Sequence, residues 1–110
     1  MHERFKKNLT VIILCGGKGK RLYPLTKYTP KPLIKIQKKE ILRFIIDHLK
    51  GYGLNDIRLA TGYKHSNFKS FLKNDKKLSD LKAINSGVNT DILKRIINCS
   101  RKANKYIMVC

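Results

Sequence analysis

The sequence predicts an α/β protein, a mostly parallel sheet held between helices, and three observations carry that prediction. A continuous apolar, β-branched run, "TVIILC" at 10–15, has the make-up of a strand covered on both faces. Downstream, helix-periodic segments alternate with short strand-like runs, the pattern of βαβ units. Between the first strand and the first helix lies a long loop rich in glycine, proline and lysine. Open parallel sheets place their ligand groups at such strand ends.

The elements follow in order. After the loop, "EILRFIIDHLKGYG" at 40–53 sets Ile41, Leu42, Ile45, Ile46 and Leu49 on one helical face. It ends on Gly51 and Gly53, the residue type that closes helices most readily. "DIRLAT" at 56–61 is a second strand bounded by turn residues. "SNFKSFLK" at 66–73 opens on Ser66 as an N-cap and carries Phe68, Phe71 and Leu72 at helical spacing. "NDKKLSD" at 74–80 is a charged loop, and "LKAIN" is a short third strand. "NTDILKRIINCSRKAN" at 89–104 predicts a helix with Ile92, Leu93, Ile96 and Ile97 inward and Asn89 or Thr90 as cap. "YIMVC" at 106–110 is the last strand-like run. No internal repeat or low-complexity linker divides the chain, so 1–110 reads as one unit.

A chain of 110 residues, 42% hydrophobic, suffices for one small domain or a piece of one. Its longest apolar run, Val11 to Cys15, is strand-sized and far short of a membrane span. The first ten residues lack a long apolar stretch before a small-residue cleavage site, so no secretory signal is read. Three cysteines, Cys15, Cys99 and Cys110, form no CxxC pair. They argue against a disulfide framework or zinc ribbon and for a reducing cytoplasm. Cys15 and Cys110 each end an apolar run and are expected in the core; no histidine is placed by sequence to make Cys15 a nucleophile.

Lys and Arg number 25 against 7 Asp and Glu, a net charge of +18. Such a field favours polyanions: nucleic acid, anionic membrane or phosphorylated small molecules. The lysines are scattered rather than gathered in one tract, so charge alone does not choose among them. The five Tyr and four Phe fall mostly at core-like or turn positions, which counts against a basic nucleic-acid-binding protein.

The loop chooses more sharply. In "LCGGKGKRLYPLTKYTPKPL", residues 14 to 33, the P-loop pattern fails because Arg21 stands where its second glycine belongs. The dinucleotide fingerprint fits Gly17 and Gly19, but its third glycine is Leu22. The loop has its own logic nonetheless. Gly16 and Gly17 let backbone approach a ligand closely, and Gly19 gives the turn its freedom. Lys20 and Arg21 supply charge and a planar donor fork for phosphate oxygens. Pro24, Pro30 and Pro32 stiffen the excursion, and Lys31, between two prolines, carries an ammonium that can be aimed.

"GGKGKRLYPLTKYTPKPL" resembles the signature of the sugar-phosphate nucleotidyltransferases, the family of glucose-1-phosphate thymidylyl- and cytidylyltransferases and mannose-1-phosphate guanylyltransferases. That signature runs G-G-x-G-x-R-L-x-P-L-T, a short spacer, then P-K-P-L, and every fixed position is met from Gly16 to Leu33. "ILRFIIDHLKGYGLNDIRLATGYK" and "INSGVNTDILKRI" are similar, more weakly, to later segments. The resemblance implies a Rossmann-like three-layer α/β/α domain, incomplete at the C-terminal end, of which residues 1–110 form the N-terminal nucleotide-binding half.

It also implies a chemistry: a sugar 1-phosphate attacks the α-phosphorus of a nucleoside triphosphate, giving a nucleotide-sugar and pyrophosphate. Leu14, Gly16 and Gly17 would offer backbone to the base and ribose. Gly19, Lys20 and Arg21 would wrap the triphosphate, with Arg21 stabilising the α-phosphate and leaving group, and Lys31 would bridge to the incoming sugar phosphate. The family's Mg²⁺ is held by an Asp in a Gly-Asp pair just beyond a strand like "KYIMVC", and none of the seven acidic residues lies there. Asp91 is expected as a helix cap or dipole partner. Asp47 and His48, like Lys18, Lys27 and Lys35, are expected at the surface. Lys20 stands where a small hydroxyl residue is common, and "NTDILKR" replaces the Gly-Gly-Arg of the cytidylyltransferase branch.

The expectation is therefore a truncated chain, inactive or weakly active alone, working in the cytoplasm with no membrane partner. Homo-oligomer assembly is left open. A nucleotide-binding module without turnover and a basic nucleic-acid-binding protein stand as the alternatives.

Overall fold

Strand β1 (Leu9–Leu14) lies inside the sheet because both its faces are apolar. Val11 and Ile13 point into a large core, and Ile12 points into a smaller one on the other side. A computed structural model describes residues 3–110, so the first two residues of the reading for a signal lie outside the described residues. β1 pairs in parallel with β4 (Ile57–Thr61), Val11 against Ile57, and with β6 (Tyr106–Val109), Thr10 against Ile107. β4 pairs in parallel with β5 (Lys82–Asn85), giving the order β5-β4-β1-β6. Successive strands step outward from β1 to β5, and the chain then returns to the other side of β1. Open α/β sheets bind ligands at such a reversal, past the carboxyl ends of the strands.

The helices make the two outer layers. α2 (Ile41–Gly51) and α3 (His65–Lys73) cover one face with Leu42, Ile46, Leu49, Phe68, Phe71 and Leu72. α4 (Ile92–Cys99) covers the other with Cys99 and Ile96, against Ile12 and Ala60. Each fully buried apolar side chain contributes roughly 1.5–3 kcal/mol, so most of the stability resides in the α2–α3 side. Thr10 knots the strand starts: its Oγ1 donates to Asp56 at 2.5 Å and accepts from the Asn104 N–H at 2.9 Å. Among the described residues no helix is long and apolar enough to cross a membrane.

Several elements differ from the sequence reading. A short helix α1 (Glu3–Lys7) precedes β1. α3 starts one residue earlier than Ser66, with Lys64 in the left-handed conformation at its N-cap and Thr61 Oγ1 2.6 Å from His65 Nδ1. α4 is capped by Asp91, as the cap reading of that residue expects, and not by Asn89 or Thr90, and it stops at Cys99 rather than 104. There Arg58 donates to the carbonyls of Cys99, Arg101 and Lys102, satisfying groups that a longer helix would have used. α4 is also turned. Ile92, Leu93 and Ile97 are 63%, 67% and 56% exposed, while Arg95 and Cys99 are buried. Arg95 and Cys99 share a face four residues apart, so carrying the Arg95 guanidinium inward swings the expected apolar face to solvent. Cys110 is exposed rather than in the core. Tyr23, Tyr28 and Tyr52 are exposed at turns and Phe68 and Phe71 are buried, as the core-or-turn reading of the aromatics expects, whereas Phe5, Phe44 and Tyr106 are exposed on helices and a strand.

The helix end at Gly53 follows its expected logic. Gly53 has φ +80°, its N–H reaches the Lys50 carbonyl, and the Leu54 N–H reaches back to Leu49, a pattern that needs glycine at the left-handed position. A hairpin that pattern reading missed joins β2 (Lys35–Ile36) to β3 (Lys39–Glu40). Its two turn residues, Gln37 and Lys38, have φ of 52° and 70° without being Asn or Gly. Replacing Lys38 with Gly, and Gln37 with Asn, relieves this strain by about 1 kcal/mol. The pair Gln37→Asn/Lys38→Gly is expected to raise Tm by roughly 4 °C in a thermal melt; an unchanged or lower Tm would contradict the turn geometry.

Candidate functional site

Where β1 ends at Leu14, the chain leaves the sheet but stays tethered. The Cys15 N–H donates to the Ala60 carbonyl at 2.8 Å, and the Tyr63 N–H reaches the Gly16 carbonyl at 3.4 Å. Gly19 takes a left-handed conformation, φ +61°. A Cβ there would stand 2.7 Å from the Thr26 methyl, so both space and backbone require glycine. Buried Thr26 donates to the Gly19 carbonyl at 2.9 Å, and the Tyr63 hydroxyl donates to the Thr26 carbonyl at 2.7 Å. The "PLT" of the loop and the tyrosine after β4 thus fix the shape of the glycine turn.

Arg95 fixes the opposite wall. Its side chain is buried and forms no ion pair among the described residues, and three backbone carbonyls share its charge instead. Nη1 donates to Thr61 at 3.0 Å, Nη2 to Val88 at 3.0 Å and Nε to Thr90 at 3.1 Å. The guanidinium occupies the space that side chains at Gly16 and Gly62 would fill, since a Cβ would come within 2.1 and 2.2 Å of Nη1. Gly16 therefore makes room for a protein side chain, whereas nothing stands within 4 Å of a Cβ at Gly17. Thr90 Oγ1 donates to the Ser86 carbonyl, and Asp91 Oδ1 accepts from the Lys94 N–H at 2.8 Å, which closes loop 86–91.

Between the two walls lies a cavity of about 470 Å³. Leu14, Gly16, Gly17, Gly19 and Lys20, all proposed from the sequence, line one side of it, together with Lys18. Val88, Thr90, Asp91, Ile92 and Arg95 line the other. Arg21 and Lys31 stand outside this lining. Arg21 is exposed in the 3-10 turn Lys20–Leu22, and the Lys31 Cβ lies 3.4 Å from the Cβ position at Gly19. Among the described residues neither forms an ion pair. The cavity mouth thus gathers cations around open glycine backbone, with Asp91 as the carboxylate on its wall.

Burial, and then neighbouring Cys99, pushes the Cys15 thiol up to about 12, so no thiolate nucleophile forms there. Asp47 pairs with Lys39 at 2.7 Å and His48 packs edge-on against Tyr52, both on the surface. Arg95, Thr26 and Tyr63 are the parts that sequence reasoning missed. A cation within an apolar helical stripe was the available signal for Arg95.

A family model described as Nucleotidyl transferase matches residues 10–107. A D-glycero-alpha-D-manno-heptose 1-phosphate guanylyltransferase from Campylobacter jejuni is 40% identical over 67 residues, 61% of this chain and 30% of that protein. A choline-phosphate cytidylyltransferase from Streptococcus pneumoniae is 40% identical over 60 residues, 54% of this chain and 26% of that protein. The solved structure of a CTP:phosphocholine cytidylyltransferase from that organism superposes with a TM-score of 0.64 at 33% identity, covering 72% of this chain and 33% of that one. HddC from Yersinia pseudotuberculosis shares the fold, with a TM-score of 0.75 at 24% identity over 91% of this chain and 46% of that one. The matched stretch is less than a third of the length of these curated relatives.

Replacing Arg95 leaves three carbonyls without their donor, so Arg95→Met is expected to cost about 3 kcal/mol in chemical denaturation. Gly16→Ala should cost about 2 kcal/mol alone and far less in an Arg95→Ala background, because the clash partner is gone. Additive losses would contradict the packing. Burial, then Lys69, holds the His65 ring below its ordinary 6.5. The folded state therefore favours neutral His65, and its contribution is full above 6.5 and lost as pH falls through the lower folded value. Titration of the ring by NMR should give a midpoint below 6.5, and stability of the parent relative to His65→Gln should decline on acidification through that window.

Proposed function

The chain belongs to the nucleotidyl transferase family, and on that premise we propose that residues 1–110 form the nucleotide-binding half of a sugar-phosphate nucleotidyltransferase domain. One observation carries the reading: the loop Gly16–Leu33 fronts a cavity at the carboxyl end of β1 with open backbone at Gly17, and carries the exposed Arg21 and Lys31, neither ion-paired among the described residues. The reaction is transfer of a nucleoside monophosphate from a nucleoside triphosphate to a sugar 1-phosphate. The sugar phosphate oxygen forms a bond to the α-phosphorus, the bond to the β-phosphate oxygen breaks, and pyrophosphate leaves.

Two anions must meet for this, so alignment and charge neutralisation are the protein's main tasks. Leu14, Gly16 and Gly17 present backbone to the base and ribose. Gly19 and Lys20 curl around the triphosphate. Arg21, with a planar fork of donors, stabilises charge on the α-phosphate and the leaving pyrophosphate, and Lys31 bridges the α-phosphate to the sugar phosphate. The base is not carried over from relatives, which are named as guanylyl- and cytidylyltransferases alike.

Magnesium is the ion the resemblance implies, and the described residues do not fit it. Among them no group of three or more His, Cys, Asp or Glu is gathered to hold a metal, and Asp91 on the cavity wall is engaged in capping α4. Free cysteines suit the cytoplasm as the working compartment. The engagement of Asp91 favours one second reading, a nucleotide-binding module without turnover.

Thermal melts of the chain with ATP, GTP, CTP, UTP and dTTP test the proposal. One nucleotide is expected to raise Tm, by about 2.7 kcal/mol of stabilisation at a hundredfold excess over Kd. Arg21→Ala and Lys31→Ala should each weaken that nucleotide about tenfold or more without lowering the unliganded Tm. A cooperative melt indifferent to all five nucleotides would overturn the reading. Pyrophosphate release with glucose 1-phosphate or mannose 1-phosphate separates transfer from binding alone.

A further inference from the structure

β5 closes the sheet on one side, and its outer edge pairs with no strand among the described residues. The open groups can be assigned one by one. The Ser86 N–H donates to the Thr61 carbonyl of β4. By the two-residue alternation of a strand, the N–H groups of Ile84 and Lys82 also face β4, and those of Ala83 and Asn85 face outward. An unpaired edge is a template for another chain.

A groove runs along each face of this edge. On the α3 side it measures about 610 Å³, with a floor of Leu72, Leu78 and Leu81 and a rim of Lys69, Lys73 and Lys76. On the α4 side it measures about 580 Å³, bordered by Arg101 and Lys102. Lys82 borders both. The rim lysines are exposed and form no ion pair among the described residues. Asp75 also lies in the first groove, but its carboxylate is held by Arg43 at 2.6 Å and by the Lys77 N–H. Arg58 in the second is committed to three carbonyls.

We propose that the β5 edge receives an extended acidic segment of a partner protein in which apolar residues alternate with Asp or Glu. The segment would add as a fifth strand, taking hydrogen bonds from the Ala83 and Asn85 N–H groups. Its alternate side chains fall on opposite faces: the apolar set over Leu72, Leu78 and Leu81, the carboxylates toward Arg101, Lys102 and Lys82. A second copy of this chain is a poor occupant, because it brings a further net charge of +18 to an edge already rimmed by lysines. Nucleic acid meets the charge but finds no aromatic side chain lining either groove on which to stack a base. The site lies outside the nucleotide cavity and stands independently of its proposed role.

A fluorescein-labelled octapeptide alternating Leu or Val with Asp tests this by anisotropy with the 110-residue chain. Expected are saturable binding that weakens with salt, and affinity at least about tenfold lower for a peptide of the same composition with its Asp residues in one block. Amide exchange followed by NMR should slow at Ala83 and Asn85 on binding. Arg101→Glu/Lys102→Glu should lose about tenfold in affinity at unchanged Tm, and Ala83→Pro should lose binding by removing one outward donor. Should Ala83→Pro fail to fold, the exchange data on the parent chain decide. Equal affinity for both peptides or for a single-stranded oligonucleotide, unprotected Ala83 and Asn85 amides, or self-association through this edge would each overturn the proposal.

Discussion

The Arg95 guanidinium is the point on which the site end of the molecule depends. A buried cation must be solvated by something, and here three carbonyls from the end of β4 and from loop 86–91 replace water. That requirement orients α4, ties loop 86–91 to the end of β4 and excludes side chains at Gly16 and Gly62. The cavity wall opposite the glycine loop exists because this one charge is satisfied in this one place. A carboxylate partner would have met the same need between two side chains, without linking separate stretches of backbone.

The glycine loop itself is held from the other side by neutral groups, Thr26 and Tyr63. The division is chemically sensible. Cations that must meet an anionic ligand, Lys20, Arg21 and Lys31, carry no structural hydrogen bonds among those described, while the loop's shape is maintained by hydroxyls and backbone. Charge is thereby left available at the surface rather than consumed in the scaffold.

The parallel sheet was legible because β1 is apolar on both faces, a composition few other environments accommodate. The helix of 40–53 was legible from its stripe and its glycine stop. What escaped reading had a common cause: long-range partners. The inward turn of Arg95 depends on carbonyls contributed by Thr61, a residue in another element, and pattern reading of 89–104 could only sort residues by hydropathy. The β2–β3 hairpin has no Asn-Gly signal because Gln37 and Lys38 bear the left-handed backbone in spite of their side chains. At the site, the glycines and Lys20 were legible as a phosphate-type loop. Thr26 and Tyr63 were not, since their work is to hold the loop rather than to face the cavity.

The order of the strands in the sheet differs from their order in time. β1 is synthesised early, yet it is the strand flanked on both sides, and its partner β6 follows only after β4 and β5 have been made. Between those moments an almost wholly apolar hexapeptide waits with one ladder edge vacant. Loop closure, even over such a separation, is fast compared with synthesis at about 5–20 residues per second. The interval in which Leu9–Leu14 is exposed is therefore set by the rate of translation. A nascent chain of this sequence calls for shielding on the ribosome that the finished fold no longer needs.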